Sequence, residues 1–233
     1  LYLSFMNPHD ICYGAGFDPR FPDKLRPHQI AATQKYIDFH KTLSEEEYRN
    51  QIPPVPANME PNGAYAEMKE IGSGSRNWTE EQWNFYRWMY CRLVEDVEKQ
   101  IGRILTALAD AGLADNTIVV FTSDHGEMGQ SHGLVCKSQL LEEATRTPLI
   151  IAGPGIQKGI VDSENLTCGI DLVPTMCDLV GIPIPKGLLG KSLKPILTGQ
   201  SVKMSRNHII AEKEQYTYHY CKGYHNSNQT LGL

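Results

Sequence analysis

The stretch IVVFTSDHGEMGQSHGLVCKSQLLEEATRTPLIIAGPG runs from Ile118 to Gly155. It opens apolar, breaks at Asp124-His125-Gly126, and then sets His132, Lys137, Glu142, Glu143 and Arg146 before a second apolar run. The consecutive apolar residues of Thr117–Ser123 predict a strand buried on both faces, as in a parallel sheet. Thr147–Ala152 predicts another, closed by Gly153-Pro154-Gly155. Charge placed where a core strand ends points to a cleft, because open α/β sheets bind ligands beyond the carboxyl ends of their strands. Asp124 and His125 stand side by side, so both can face one cation, while Gly126 frees the backbone to turn away. A plain Asp-x-Gly turn accounts for the same tripeptide. Lys137 suits the neutralisation of an anionic substrate oxygen, or it is an ordinary solvated lysine. His132 reads as a loop histidine or a ligand contact, and Glu142, Glu143 and Arg146 as an ion-pair face on a short helix.

Upstream, Leu1–Phe5 predicts a strand, with Asn7-Pro8-His9-Asp10 as the turn at its end. His9 therefore sits at the mouth of the predicted sheet. An imidazole exchanges protons near neutral pH, which suits delivery of a proton to a leaving oxygen. His28–Leu43 predicts a helix, after a loop from Gly14 to Pro27, and Gln51–Pro61 is a proline-rich surface passage. Thr79 and Gln82 form a capping-box pattern. From there Tyr90, Leu93, Val94, Val97, Ile101, Ile104, Leu105 and Leu108 recur at helical spacing and predict one buried face, stopped at Gly112. Asp171 predicts the cap of a helix that runs through Val180 to Gly181. His208–Ala211 predicts a last strand, and the segment beyond it has no clear period. Helices alternating with buried strands give an α/β class with a mainly parallel sheet flanked by helices.

The chain has 233 residues and a formal charge of −5, which argues against a basic face for nucleic acid. No apolar run has the roughly 18 residues a membrane span needs. Six cysteines stand singly, so disulfides are permitted but not required. His125, His132 and Cys136, with Cys168 or Cys12, match none of the compact zinc spacings. The absence of Gly-x-Ser-x-Gly argues against a Ser-His-Asp hydrolase. Asn77, Asn165 and Asn228 fit the glycosylation triplet, a pattern common by chance. The chain begins inside a predicted core strand without an initiator methionine, which reads as the downstream part of a longer polypeptide.

The Ile118–Gly155 stretch resembles the metal- and lysine-bearing segment of sulfatases, in the alkaline phosphatase superfamily. That pattern is an apolar strand, Ser-Asp-(Asn or His)-Gly, a His-Gly loop, a Lys, and Glu-Glu-Ala-x-Arg-x-Pro-Leu-Ile. LYLSFMNPHD resembles the strand carrying a substrate-facing His. MYCRLVEDVEKQIGRILTALADAGL resembles the helix before the Asp strand, and GIDLVPTMCDLVGIPIPKGLLGKSL the Asp-Leu-x-Pro-Thr helix with its Gly-x-Ser-Leu turn. The likeness spans about residues 1 to 212.

The resemblance implies an alkaline-phosphatase-like fold, incomplete at its amino terminus, with a partial sulfatase-type domain over 1–205 and a C-terminal subdomain or tail starting in 206–233. It implies hydrolysis of a sulfuric ester, on a sulfated carbohydrate or related alcohol, by formylglycine chemistry. It makes Asp124 and His125 ligands of a divalent ion, calcium first, with a manganese-like ion as the alternative because His stands where many members have Asn. Lys137 would touch the sulfate near its bridging oxygen, His9 would assist the leaving alcohol, and His132 would contact substrate. It also implies a periplasmic, extracellular or lysosome-like compartment. The Cys/Ser-x-Pro-x-Arg nucleophile pattern and an Asp-Asp pair are absent from this sequence. The chain alone is therefore expected to be inactive and to bind metal weakly, and bared sheet edges favour self-association. The alternatives are a phosphonate or phosphodiester hydrolase of the same superfamily, and a non-catalytic sulfatase-like binding protein.

Overall fold

The computed structural model describes residues 1–9, 11, 27–59, 78–137, 140–200, 202–204, 206–216 and 226–232. Cys12, Asn77 and the expected loop as far as residue 26 lie outside them, while Pro27, expected to end that loop, already begins a helix. The chain divides into two units: 1–112 with 125–144, and 113–124 with 145–233.

The first unit is helical. Helix α1 spans Pro27–His40, α2 Glu45–Arg49 and α3 Glu80–Asp110. Two capping boxes start α2 and α3. Glu47 N–H donates to Ser44 Oγ (3.3 Å) and Ser44 N–H to Glu47 Oε2 (2.8 Å). Gln82 N–H donates to Thr79 Oγ1 (3.3 Å) and Thr79 N–H to Gln82 Oε1 (2.8 Å). Each box satisfies amide donors that a helix start leaves without partners. Past the end of α3, Gly112 takes a left-handed φ of 67°, where glycine carries no Cβ penalty.

The core of this unit gathers Ile11, Tyr36, Tyr48, Trp83, Tyr86, Trp88, Met89, Leu93 and Val135. The rings meet edge-on: His40 lies 4.4 Å from Tyr48, 5.2 Å from Phe85 and 5.4 Å from Trp88 between centroids. Edge-to-face contacts of this kind add to the area that aromatic rings bury. Asp96 ties α1 to α3 by accepting from Lys35 and, at 2.5 Å, from the Tyr36 hydroxyl. Burial, reinforced by that carboxylate, pushes the Tyr36 phenol up to about 12. A smaller cluster of Met128, Leu134, Leu141 and Ala144 lies under the loop that follows His125.

The second unit holds β1 (Val119–Thr122), β2 (Leu149–Ala152), β3 (Ile210–Tyr216) and β4 (Asn226–Gly232). Helix α4 (Glu142–Thr145) runs across the division, while α5 (Leu172–Leu179) and α6 (Lys194–Leu197) belong to the second unit. β1 pairs with β2 in the register Val119↔Ala152 to Thr122↔Leu149, and β3 with β4 in the register Ile210↔Gly232 to Tyr216↔Asn226.

Several expectations change. Among the described residues both strand pairings are antiparallel, not parallel, and each sheet has two strands. A continuous apolar run indicates burial but carries no strand direction; the partner decides that. Burial on both faces is also not what these strands show, for Phe121 and Ile150 are exposed. Leu1–Phe5 forms no strand and is exposed. A strand needs a ladder partner, and none pairs with this segment among the described residues. In α3 the predicted buried face is half right. Leu93 is buried, but Val94 and Leu105 are 44% and 45% exposed, and Trp83, Tyr86, Trp88 and Met89 fill the core instead. Periodicity marks a stripe; only tertiary contact decides how far along the helix it is covered.

Asp171 occupies the position before α5 yet makes no side-chain cap to it. Its carboxylate is used elsewhere, as described below. The last strand runs further than His208–Ala211 because β4, unplaced by pattern, supplies its partner.

Candidate functional site

Of the candidate residues of the first unit, His132 and Lys137 lie on the loop from Glu127 to Lys137, His9 reaches Lys137, and His125 precedes the loop. The loop closes on itself like a narrow hairpin. Met128 N–H donates to Cys136 C=O (2.9 Å), Gln130 N–H to Leu134 C=O (2.9 Å), and Ser131 N–H to Met128 C=O (2.8 Å). Three residues other than glycine adopt left-handed backbone here: Gln130 (φ 84°), His132 (φ 55°) and Cys136 (φ 66°). Each conformation costs on the order of 1 kcal/mol, and such strain persists only where the surroundings hold it.

The surroundings are visible. Glu127 Oε1 accepts from Cys136 N–H (2.5 Å), from the Tyr86 hydroxyl (2.6 Å) and, more weakly, from Gly129 N–H (3.4 Å). Gln130, itself buried, accepts from the Arg87 guanidinium, which also donates to Pro53 C=O (3.1 Å) and Asn84 Oδ1 (2.6 Å). Burial draws the Arg87 guanidinium below its ordinary value. Helix α3 thus grips the loop at two points, through Tyr86 and Arg87, one helical position apart.

Lys137 emerges next to Cys136, and its Nζ lies 2.7 Å from His9 Nδ1. An ammonium can only donate, so Nδ1 accepts and the imidazole proton of that tautomer sits on Nε2. Two of the sequence-derived residues therefore meet although 128 positions separate them.

His132 belongs to a second group. Its N–H donates to Asn58 C=O (2.8 Å), and its Nε2 lies 3.4 Å from Asn58 Nδ2 and 3.6 Å from Glu143 Oε1. Asn58 Nδ2 also donates to Glu143 Oε1 (2.6 Å). Sequence reasoning missed Asn58, which sits in the proline-rich passage, and treated Glu143 as part of an ion-pair face on a short helix. Asn58 carries no local signal, and only the approach of residues 53–59 to the loop reveals its pairing with Glu143.

His125 Nδ1 lies 2.9 Å from Gly126 C=O, so the tautomer with hydrogen on Nδ1 leaves Nε2 as its lone-pair nitrogen. Gly126 N–H donates to Ala144 C=O (2.8 Å), anchoring the turn after His125. Asp124 is exposed, and the division into units falls between it and His125. Among the described residues no group of three or more His, Cys, Asp or Glu side chains is arranged to hold a metal ion.

The charged centre of the second unit is Asp171, fully buried. It accepts from Cys168 N–H (2.9 Å) and Lys191 N–H (2.8 Å), and both guanidinium nitrogens of Arg206 reach it, at 2.6 and 2.8 Å. Burial by itself raises this carboxyl, but the Arg206 fork and the two amides outweigh it and hold the group below its ordinary value. The sequence Gly190-Lys191-Ser192-Leu193 docks on one face of α5: Lys191 N–H on Asp171, Leu193 N–H on Thr175 Oγ1 (2.9 Å), Ser192 Oγ on Asp178 Oδ2 (2.6 Å). Gly190 is required there, since a Cβ would fall 1.9 Å from Ile170 C=O. This centre is saturated by structural bonds and has the form of a staple.

Comparison with known proteins agrees with the motif. A family model described as Sulfatase matches residues 1–182. A Delta 4,5-hexuronate-2-O-sulfatase of Bacteroides thetaiotaomicron is 38% identical over 146 residues, which cover 61% of this chain and 30% of that relative. Human Arylsulfatase K is 33% identical over 140 residues, covering 60% of this chain and 26% of that relative. The chain thus spans about a quarter to a third of these curated relatives. Among solved structures, a 2-O GAG sulfatase superposes with a TM-score of 0.71 at 31% identity, over 89% of this chain and 43% of the other. A phosphonate monoester hydrolase from Silicibacter pomeroyi gives 0.61 at 34% identity, over 69% and 35%.

Proposed function

This chain belongs to the sulfatase family, and from that premise we propose that it carries the leaving-group side of a sulfuric ester hydrolase centre, acting on a sulfated carbohydrate. The observation that carries the proposal is the 2.7 Å contact between Lys137 and His9. A cation beside an imidazole whose Nε2 bears the proton is a suitable pair for an ester oxygen that gains negative charge as its bond to sulfur breaks. Lys137 stabilises the sulfate and its bridging oxygen, His9 passes its Nε2 proton to the departing alcohol as its Nδ1 takes up a proton from the Lys137 ammonium, and His132, braced by Asn58 and Glu143, contacts the substrate. The carbohydrate class rests on the hexuronate sulfatase and the 2-O GAG sulfatase that the chain resembles.

Asp124 and His125 are the proposed ligands of a divalent cation, calcium first and a manganese-like ion second. When bound, such an ion polarises the sulfate oxygens. One carboxylate and one imidazole are too few for a hard cation that takes six or more oxygens. These two residues alone do not complete its site, and imidazole is a better partner for manganese-like ions than for calcium. The nucleophile pattern is absent from the sequence, so the polypeptide by itself binds sulfate esters without turning them over. The segment from 206 onward starts a C-terminal subdomain or tail, and an extracellular, periplasmic or lysosome-like compartment fits the family.

Titration of the chain with a sulfated unsaturated hexuronate disaccharide, with calcium and with manganese, tests this. Binding that weakens at least tenfold in Lys137→Ala is the expected result. Sustained release of sulfate by this polypeptide alone would overturn the claim of inactivity, and binding indifferent to Lys137 would overturn the site. The second reading, a phosphonate or phosphodiester hydrolase, is favoured by the Silicibacter pomeroyi enzyme and by His at position 125. A phosphonate monoester that binds tenfold more tightly than the sulfated sugar would select it.

A further inference from the structure

Lys137 is a flexible side chain, and a flexible ammonium is a poor catalytic group unless its backbone is fixed. What fixes it is a residue outside the charged set. Cys136, immediately before Lys137, is left-handed at φ 66°. Its N–H, turned inward by that conformation, ends 2.5 Å from Glu127 Oε1 at the opposite side of the loop neck. The same oxygen accepts the Tyr86 hydroxyl at 2.6 Å, and Tyr86 is buried in α3 as part of the aromatic core. An unbroken series of contacts therefore runs from the core helix to Tyr86, to Glu127, to the Cys136 amide, to Lys137 and on to His9.

We infer that Glu127, anchored by Tyr86, is the positioning residue that aims Lys137 at His9; its part in catalysis rests on the reading of those two residues given above. The choice of a carboxylate is meaningful. It accepts more strongly than an amide oxygen, and here it offsets the strain of the left-handed residue whose amide it holds. It has no role of its own at the ester: among the described residues its donors are a phenol and two backbone amides. A loop that needed only to be closed already has the Met128–Cys136 and Gln130–Leu134 backbone pairs. The extra bond acts on the residue that sets the direction of Lys137.

The test is nitrogen NMR of the His9 imidazole in the intact ¹⁵N-labelled chain, with Lys137→Ala as the reference for a lost contact. In the unaltered protein His9 is expected to show Nδ1 as acceptor and hydrogen on Nε2. Glu127→Ala and Tyr86→Phe are expected to move the His9 signals toward the Lys137→Ala values, the first nearly completely and the second in part. Glu127→Gln, which keeps an oxygen acceptor, is expected to restore most of the original spectrum. Inorganic sulfate affinity, measured on the same samples, is expected to fall roughly tenfold in Glu127→Ala, the order of cost of a modest misplacement.

If the folded Glu127→Ala protein melts earlier yet keeps the original His9 spectrum, Glu127 only stabilises the loop and the inference fails. If Glu127→Ala does not fold, Tyr86→Phe and Glu127→Gln decide in the same way: an unmoved His9 in Tyr86→Phe overturns the inference. A His9 spectrum that moves as expected while sulfate affinity is the same with and without Lys137 supports the aiming of Lys137 and overturns the sulfate reading alone.

Discussion

Each of the two units of this chain has its own kind of core, and the two kinds differ. The first is built on a core that is mostly aromatic: Trp83, Tyr86 and Trp88, with Met89, from one helix close over Tyr36, Tyr48 and Ile11. The second has a carboxylate at its centre, Asp171, wrapped by Arg206 and two backbone amides. Each unit nevertheless uses a buried or half-buried carboxylate to pin a loop, Glu127 in the first and Asp171 in the second. The difference lies in the donors. Asp171 is matched by a cation and closed off, which makes a staple. Glu127 is matched by neutral donors, one of them the amide of the residue before Lys137, which is the contact behind the supporting role inferred for it. A carboxylate near functional motifs is thus classified by what its partners are attached to, not by its burial.

Truncation of the aromatic core is the largest perturbation expected. Trp88→Ala removes a ring with no exposed surface and costs about 4 kcal/mol, read as a lower midpoint in chemical denaturation followed by the fluorescence of the remaining tryptophans. Loss of less than about 1 kcal/mol would mean that the core reforms around the cavity.

Arg206→Ala should come next, at about 3 kcal/mol, because it leaves Asp171 buried and ionised without its counter-charge. The loss belongs to the second unit, so hydrogen exchange at the Cys168 and Lys191 amides should accelerate while amides of α3 stay protected. The same pair predicts a pH dependence. The Asp171 carboxyl is held below its ordinary value, so its contribution to stability is complete above the unfolded value of about 3.9. It is lost as pH falls through the lower folded value. Arg206→Ala should flatten this acid limb, and an unchanged slope between neutral pH and the acid limit would remove Asp171 from the account.

Tyr86→Phe sharpens the contrast at smaller scale. It keeps the ring in the core and deletes one donor to Glu127, at an expected cost of about 1 kcal/mol. Lys137→Ala should cost the least, within about 0.5 kcal/mol of the unaltered protein, and yet have the greatest effect on sulfate binding. Equal losses of stability in Lys137→Ala and Tyr86→Phe would erase the distinction between a supported residue and its support.

What could be read locally in the sequence proved durable. Thr79 with Gln82 started α3 because a capping box needs only its own turn, and Gly112 and Gly181 ended helices at left-handed positions. The order of motifs placed the chain in its family and singled out His9 and Lys137. Local rules could not extend further. The apolar stripe from Val94 to Leu108 obeys helical spacing, but spacing cannot say where the covering elements stop. The run Thr117–Ser123 predicts a strand, but its antiparallel pairing with Leu149–Ala152 lies beyond any local window of sequence.

The sequence by itself determined the start and end of α3, the family and the chemical types gathered around residues 124–137, since these follow from neighbours within a few positions or from the order of short motifs. The tertiary structure alone decided which of those residues meet. It brought Lys137 to His9 across 128 positions, set Asn58 and Glu143 beside His132, and joined Asp171 to Arg206. The physical reason is that a side chain's charge is fixed by its type, whereas its partner is fixed by the path of the backbone through space. Here that path is governed by an aromatic core and strained loop residues whose effects no short window of sequence contains.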